Sequence, residues 1–291
     1  MTSLRSAVGA ATATLTAAGV PTPRPDALLL AAHALGCDRA EVERRMLLGA
    51  DLDEMTSRRL DALVEERAAR VPLQHLTGTA PFRRLELHVG PGVVVPRPET
   101  EAAVDHVRAA LDGLDAPVVV DLCTGSGALA LGGADEAPTA AVVGVELSEP
   151  ALAWAARHVE ATGLPVRPVA GDATADPAAV PDLADLVGRV DVVVSNPPYI
   201  PVGMVSLEPE VAEHDPEVAL YGDSADGLAI PLAVAATAAA LLRPGGVLVM
   251  EHADSQGESL PRALSATGAW LHATDHADLA GRPRTTTARR S

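Results

Sequence analysis

The sequence contains no lysine: all 22 basic residues are arginine, set against 39 acidic ones, for a net charge of −17. So acidic a chain lacks the counterion-releasing surface on which non-specific nucleic-acid binding depends, and nucleic acid is disfavoured as a substrate. Aromatic residues are scarce too, with one Phe, two Tyr and two Trp, which leaves little to stack bases on. Cys37 and Cys123 are the only cysteines and form no C-x-x-C pattern. That excludes a disulfide framework and a zinc site as organising features, and no metal site is expected. The longest apolar stretches, such as Pro231 to Leu242, fall short of the roughly 20 residues a membrane span requires, and no basic, apolar leader opens the chain. A soluble, cytoplasmic protein with no membrane partner is expected. What the chain has in quantity is apolar surface, 48% of 291 residues, enough for one large domain and one small one.

From Ser3 to about Ala69 the apolar residues recur at helical spacing, as in Ala27-Leu28-Leu29-Ala32-Leu35 and Leu60-Leu63-Val64. Four or five short helices are expected there. Pro21, Pro23 and Pro25 separate the first from the second, and Gly36 closes the second as a C-cap. Between Val71 and Pro98 the period changes to two, with Leu85, Leu87 and Val89 alternating against Glu86 and His88 before a Pro-Gly turn. This reads as a hairpin. The expected organisation is therefore a helical domain over 1–70, a hairpin linker over 71–98 and an α/β domain over 99–291.

Beyond Pro98, helical and strand-like segments alternate: helix Glu99–Leu111, strand Val118–Leu122, helix Ala128–Ala134, strand Ala141–Glu146, helix Pro150–Thr162 and strand Val166–Ala170. Strand Val190–Ser195, helix Gly227–Leu242, strand Gly246–Glu251 and a final pair near Trp270–Ala273 and Thr285–Ala288 follow. Apolar strands alternating with helices imply a parallel, doubly wound sheet.

Three strand ends carry the candidate chemistry. The first runs Asp121-Leu122-Cys123-Thr124-Gly125-Ser126-Gly127 straight into a helix, a glycine-rich turn at the sheet edge where open α/β folds bind ligands. Gly125 and Gly127 allow backbone to approach a ligand; Asp121 either orients the turn or meets a cationic ligand group. The second strand ends in Glu146, about 25 residues beyond Asp121, placed to accept hydrogen bonds from both hydroxyls of a ribose. A dinucleotide is the competing ligand, but Gly125, Gly127 and Ala130 supply only the permissive G-x-G-x-x-A spacing. Asp172, after the third strand, either faces an adenine amino group or serves as a cap or turn residue.

The fourth strand ends in Ser195-Asn196-Pro197-Pro198-Tyr199. Two prolines stiffen the backbone and remove two N–H donors, leaving carbonyl oxygens without competing donors beside them. A planar NH₂ group placed here can donate one hydrogen to the Asn196 side chain and the other to the Pro197 carbonyl, which aims its nitrogen at an activated methyl group. Pro198 and Tyr199 would shape the pocket, the ring packing on the flat amide or base.

Asn196-Pro197-Pro198-Tyr199 together with Asp121 to Gly127 resembles the amino-methyltransferases of the class I, Rossmann-like S-adenosylmethionine fold. Further segments resemble the release-factor glutamine N5-methyltransferase (HemK-like, PrmC) family: Pro72-Leu73-Gln74-His75-Leu76-Thr77-Gly78, Val95-Pro96-Arg97-Pro98-Glu99-Thr100-Glu101, Pro216-Glu217-Val218-Ala219-Leu220, Asp226-Gly227-Leu228, Leu242-Arg243-Pro244-Gly245-Gly246 and Asp278-Leu279-Ala280-Gly281-Arg282. The resemblance implies S-adenosyl-L-methionine as cofactor, held by Asp121, Cys123, Thr124, Gly125, Ser126, Gly127, Glu146, Asp172, Ala173 and Asn196. It also implies methylation of the glutamine in the Gly-Gly-Gln loop of class I peptide-chain release factors. A ribosomal-protein glutamine or adenine N6 are the alternative acceptors. Arg97 and Glu99 lie near the pocket, Arg97 as a pocket residue or as an ion-pair partner, and the helical domain is either a docking surface or a cap. Three positions depart from the family pattern. Cys123 stands where the family usually has glycine, so the turn must tolerate a side chain if its φ stays negative; Ala173 stands where relatives often carry an aromatic; Glu146 replaces the commoner Asp.

Overall fold

The computed structural model describes residues 2–204 and 209–291, and its described residues divide into two compact units. The first comprises residues up to Thr79 together with described residues 209–214. It holds β1 (Thr2–Ser3), α1 (Leu4–Ala17), α2 (Pro23–Leu35), α3 (Arg39–Leu47), β2 (Asp51–Leu52), α4 (Glu54–Ala68), α5 (Leu73–Thr77) and α10 (Pro209–His214). Helix starts are set locally: Asp38 caps α3 by accepting from Glu41 N at 2.7 Å, and Asp53 caps α4 by accepting from Thr56 N at 2.8 Å. Gly36 ends α2 at φ 63°, the left-handed cap its position in the sequence suggested. The apolar stripes of α1, α2 and α4 close on one core that includes Leu4, Leu15, Leu28, Leu30 and Leu60.

The second unit, from Ala80 to the C-terminus without that insertion, begins with the hairpin β3 (Thr79–Phe82) and β4 (Leu85–His88). It continues with α6 (Glu101–Leu111), β5 (Val118–Leu122), α7 (Ala128–Glu136), β6 (Ala141–Glu146), α8 (Glu149–Thr162), β7 (Val166–Ala170), α9 (Pro181–Ala184) and β8 (Val190–Ser195). After the insertion come α11 (Ala229–Leu241), β9 (Leu242–Glu251), α12 (Ser259–Ala266), β10 (Trp270–Ala277) and β11 (Pro283–Arg290). The seven-stranded sheet has the order β10-β11-β9-β8-β5-β6-β7. Successive strand residues serve opposite faces: Val120, Leu122, Val143 and Val193 enter one core with α11 and α12, while Val119, Val142, Val192 and Val194 enter another with α6 and α7. The strands are buried on both sides, hence their uninterrupted Val and Leu runs.

One expectation needs correction. The sheet is parallel from β7 to β9, but β11 pairs antiparallel with both β9 and β10. Only five residues, Asp278 to Arg282, separate β10 from β11, too few for the crossover that a parallel pairing needs.

Candidate active site

The glycine-rich turn is tied to the next strand by two bonds: Thr124 N donates to Val145 O at 2.9 Å, and Gly125 N donates to Glu146 Oε2 at 2.8 Å. Asp121 sits beneath it, fully buried. Its Oδ2 accepts from Thr124 Oγ1 and, at 3.1 Å, from Ala130 N in the first turn of α7, so the side chain orients the turn. Burial pushes this carboxyl up to about 7, and its Oδ1 has no hydrogen-bond partner among the described residues. His158 supports the turn from α8: its two ring nitrogens each lie 2.8 Å from a carbonyl oxygen, of Ser126 and of His88.

The turn contains three successive left-handed positions at alternating intervals, Cys123 at φ 63°, Gly125 at 56° and Gly127 at 83°. The condition of a negative φ, under which a side chain is tolerated without strain, is therefore not met at Cys123. A Cβ in this region collides with its own backbone and costs about 1 kcal/mol or more, a strain the surrounding hydrogen bonds must hold in place. Burial, followed by the charges of Glu146 and Asp121, pushes the Cys123 thiol up, which favours its neutral form. Gly127 is favoured by its positive φ, since a Cβ there would lie 3.4 Å from Ala155 and Leu131, no closer than ordinary contact; at Gly125 a Cβ would meet nothing within 4 Å. The open side of Gly125 is the face a ligand can approach.

These residues fit an adenosine-bearing cofactor. Glu146 is oriented by two backbone donors, Gly125 N on Oε2 and Ser148 N on Oε1, each at 2.8 Å, and a carboxylate has lone pairs left for ribose hydroxyls. Asp172 is exposed, with Oδ1 accepting from Thr174 N at 2.8 Å and Thr174 Oγ1 at 2.7 Å, a turn arrangement that leaves Oδ2 available. Ala173 is buried in the core beside Val145 and Val169. Thr124 and Ser126 are buried, and Thr124 is committed to Asp121.

β8 ends beside this turn. Ser195 Oγ donates to Leu122 O at 2.6 Å, locking the two parallel strands together at their carboxyl ends. Asn196 Nδ2 lies 3.5 Å from Thr100 Oγ1, and no hydrogen bond among the described residues engages Asn196 Oδ1. Pro197 is buried; Pro198 and Tyr199 are partly so. Tyr199 Oη donates to Glu251 Oε1 at 3.4 Å, and Tyr199 O accepts from Gln256 Nε2 at 3.0 Å. Gln256 also donates to Asp226 O at 2.8 Å. A Cβ on Gly227 would fall 2.1 Å from Tyr199 O, so only glycine fits. Ile200 bridges Tyr221, with Ile200 N donating to Leu220 O at 2.8 Å. The segments Pro216–Leu220 and Asp226–Leu228 thus brace Asn196–Tyr199. Arg97 lies 3.7 Å from Glu99, an ion pair at the same edge.

Thr100, His158, Glu251 and Gln256 were not assigned to the site from sequence. Thr100 belongs to the segment Val95 to Glu101, and Glu251 is an acid that ends an apolar strand. Neither signal pointed to Asn196 without the strand order.

Residues 6–78 match the family model described as the PrmC N-terminal domain, and residues 119–200 match that of a methyltransferase domain. A release factor glutamine methyltransferase of Streptomyces coelicolor is 49% identical over 296 residues, covering 100% of this chain and 99% of its own. One from Mycolicibacterium smegmatis is 50% identical over 291 residues, again covering 100% and 99%. Among solved structures, the T. thermophilus 16S rRNA N2 G1207 methyltransferase in complex with AdoMet and guanosine aligns with a TM-score of 0.51 at 24% identity, over 73% of this chain and 50% of that one, a likeness of fold.

Proposed function

The chain belongs to the family of release factor glutamine methyltransferases, and on that premise we propose that Asn196 and the Pro197 carbonyl hold the amide nitrogen of a release-factor glutamine for methylation. The enzyme transfers a methyl group from S-adenosyl-L-methionine to the side-chain N5 of that glutamine, in the Gly-Gly-Gln loop of class I peptide-chain release factors. The observation that carries the assignment is the hydrogen bonding of Asn196: its Nδ2 lies 3.5 Å from Thr100 Oγ1, while among the described residues its Oδ1 is left free to accept from a substrate amide.

When bound, S-adenosyl-L-methionine supplies an electrophilic methyl on a sulfonium. Glu146 and Asp172 take the nucleoside, and the turn Cys123 to Gly127 with Asp121 and Ala173 shapes the cradle. An amide nitrogen is a poor nucleophile because its lone pair is shared with the carbonyl, so positioning must supply most of the acceleration. Asn196 Oδ1 and Pro197 O accept the two N–H hydrogens, bias the nitrogen toward pyramidal geometry and stabilise the positive charge that grows on it. No base is required before transfer, since the proton can leave the cationic product afterwards. Pro198 and Tyr199 wall the glutamine. The helical unit serves as a docking surface for the folded release factor. The net charge of −17 disfavours a nucleic-acid acceptor. Among the described residues no helix is long and apolar enough to cross a membrane, in keeping with a cytoplasmic site of action on the translation machinery.

The test is Asn196→Ala. Methyl transfer to purified release factor is expected to fall on the order of 10²-fold or more with cofactor affinity nearly intact. Single-turnover rates equal to wild type at saturating S-adenosyl-L-methionine would make Asn196 a structural turn residue and end the proposal. Transfer to adenine or to a ribosomal protein in preference to release factor would redirect it.

A further inference from the structure

We infer that Glu251 is a positioning residue that determines which end of the Asn196 amide faces the substrate, acting through the hydroxyl of Thr100. The inference rests on the role proposed above for Asn196 and deepens it.

The strand register brings the groups together. β8 and β9 run parallel with Ser195 opposite Met250, so the next residues along, Asn196 and Glu251, lie side by side at the carboxyl edge of the sheet. Glu251 is fully buried. Its Oε1 receives the Tyr199 hydroxyl at 3.4 Å, and Thr100 stands near enough to favour the ionised form of the same carboxylate. Its Oε2 is buried without a partner at hydrogen-bond distance among the described residues, and Thr100 Oγ1 stands 3.5 Å from Asn196 Nδ2. Thr100, itself buried, thus neighbours both the carboxylate and the amide.

The two ends of a primary amide have nearly the same shape, so packing cannot choose between them; only the hydrogen-bonding character of the neighbour can. A threonine hydroxyl has one proton and can either give it or keep it for Asn196. An ionised carboxylate accepts only. With Glu251 ionised, the Thr100 proton is drawn to the carboxylate, Thr100 offers Asn196 a lone pair, and Asn196 must present its NH₂ inward and Oδ1 outward. A protonated acid or an amide at 251 can donate to Thr100 instead. Thr100 then donates to Asn196 Oδ1, the amide turns over, and an N–H faces the N–H of the incoming glutamine. The arrangement is costly to fold, since a buried carboxylate with an open lone pair destabilises the native state.

The groups that face Glu251 are known from every side. Arg97, Glu99 and Thr100 approach from the segment before α6, Tyr199 from the end of β8, and Arg284 from β11, where Thr285 is paired with Glu251 across the sheet. On β9 itself the neighbouring His252 faces Asp275 at 3.1 Å. Burial outweighs the two arginines and moves the Glu251 carboxyl up to about 7. Its ionisation therefore falls within the working pH range, and the rate of methyl transfer should decline as pH is lowered below about 7.

The experiment compares wild type with Glu251→Gln in single-turnover methyl transfer to purified release factor between pH 6 and 8.5, each range chosen to span about 7. In Glu251→Gln, kcat should fall roughly 10- to 100-fold, while the KM for release factor and the Kd for S-adenosyl-L-methionine stay within about twofold and the pH dependence below neutrality disappears. Tm should not drop, because the substitution removes a buried charge; a purely structural role would lower Tm and leave the pH profile in place. Thr100→Val tests the same link without touching the carboxylate, and decides the matter if Glu251→Gln does not fold: it should reproduce the loss in kcat, and the double variant should be no worse than the weaker single one. Wild-type kcat and pH profile in Glu251→Gln, or wild-type kcat in Thr100→Val, overturns the inference. If either occurs while Asn196→Ala has lost activity, the role of Asn196 stands and only that of Glu251 fails.

Discussion

Both carboxylate oxygens of Glu146 accept backbone N–H groups, one from the glycine-rich turn and one from Ser148. The side chain is thus pre-oriented before any hydroxyl reaches it, and the longer Glu loses none of the rigidity a shorter Asp would have. Charge-assisted hydrogen bonds of this type are worth about 1.5–3 kcal/mol, so Glu146→Ala should weaken S-adenosyl-L-methionine binding by about that amount. Calorimetric affinity equal to wild type would remove Glu146 from the cofactor site. Cys123 is the opposite case at the same scale. Its sequence neighbourhood suggested ordinary backbone angles, yet the turn imposes φ 63°, because the hydrogen bonds of Thr124 and Gly125 to β6 dictate the path of the chain whatever residue stands there.

Strands β5, β6, β7 and β8 run over the residues that the sequence pattern predicts, and for β5, β6 and β8 burial on both faces leaves little other choice for a short Val-rich stretch. Helices are less sharply marked. α11 begins two residues later than its apolar pattern, and α12 has only eight residues, short enough to escape a periodicity reading. α10 is a clearer case: six residues that follow Asn196–Tyr199 in the chain fold with the N-terminal unit. There Arg67 bonds both Asp26 and Glu210 at 2.8 Å, and Arg70 reaches Glu210 at 2.6 Å. Burial opposes ionisation of Glu210, but the bonds from Arg70 and Arg67 bring its carboxyl down to about 2. Removing one partner of a buried pair strands the others, a loss of about 3–5 kcal/mol. Arg67→Ala should therefore destabilise the helical unit by about that much in urea unfolding; an unchanged midpoint would show that the cluster contributes nothing net.

For the molecule as a whole, two buried carboxyls set an unusual pH dependence of stability. Asp121 and Glu251 are each raised from ordinary carboxylate values to about 7, mainly by burial. The folded chain therefore holds protons that the unfolded chain has released over the window from about 4.5 to about 7, and stability falls as pH rises through it. Carboxyls held low, such as Glu210, act in the other direction: their contribution is complete above the unfolded carboxylate pKa and is lost only as pH falls toward about 2. The double variant Asp121→Asn, Glu251→Gln should accordingly gain Tm relative to wild type as pH is raised from about 5 to about 8 in the absence of cofactor. A difference in Tm that does not change with pH would show that neither group is shifted.

The sequence by itself determined the parallel half of the sheet, the glycine-rich turn, the acid at the end of β6 and the run Asn196–Tyr199. Each of these is written in contiguous residues whose periodicity, backbone restriction or polar chemistry acts locally. Tertiary structure alone decided the rest. The antiparallel entry of β11 beside β9, the pairing of Asn196 with Thr100, and the placing of Glu251 next to both depend on segments far apart in the chain. Which of them meet is settled by strand order and by the burial of both sheet faces, and no local pattern encodes either. A residue such as Glu251 therefore reads in sequence as one more acid at a strand end, and becomes part of the site only when β8 and β9 lie side by side.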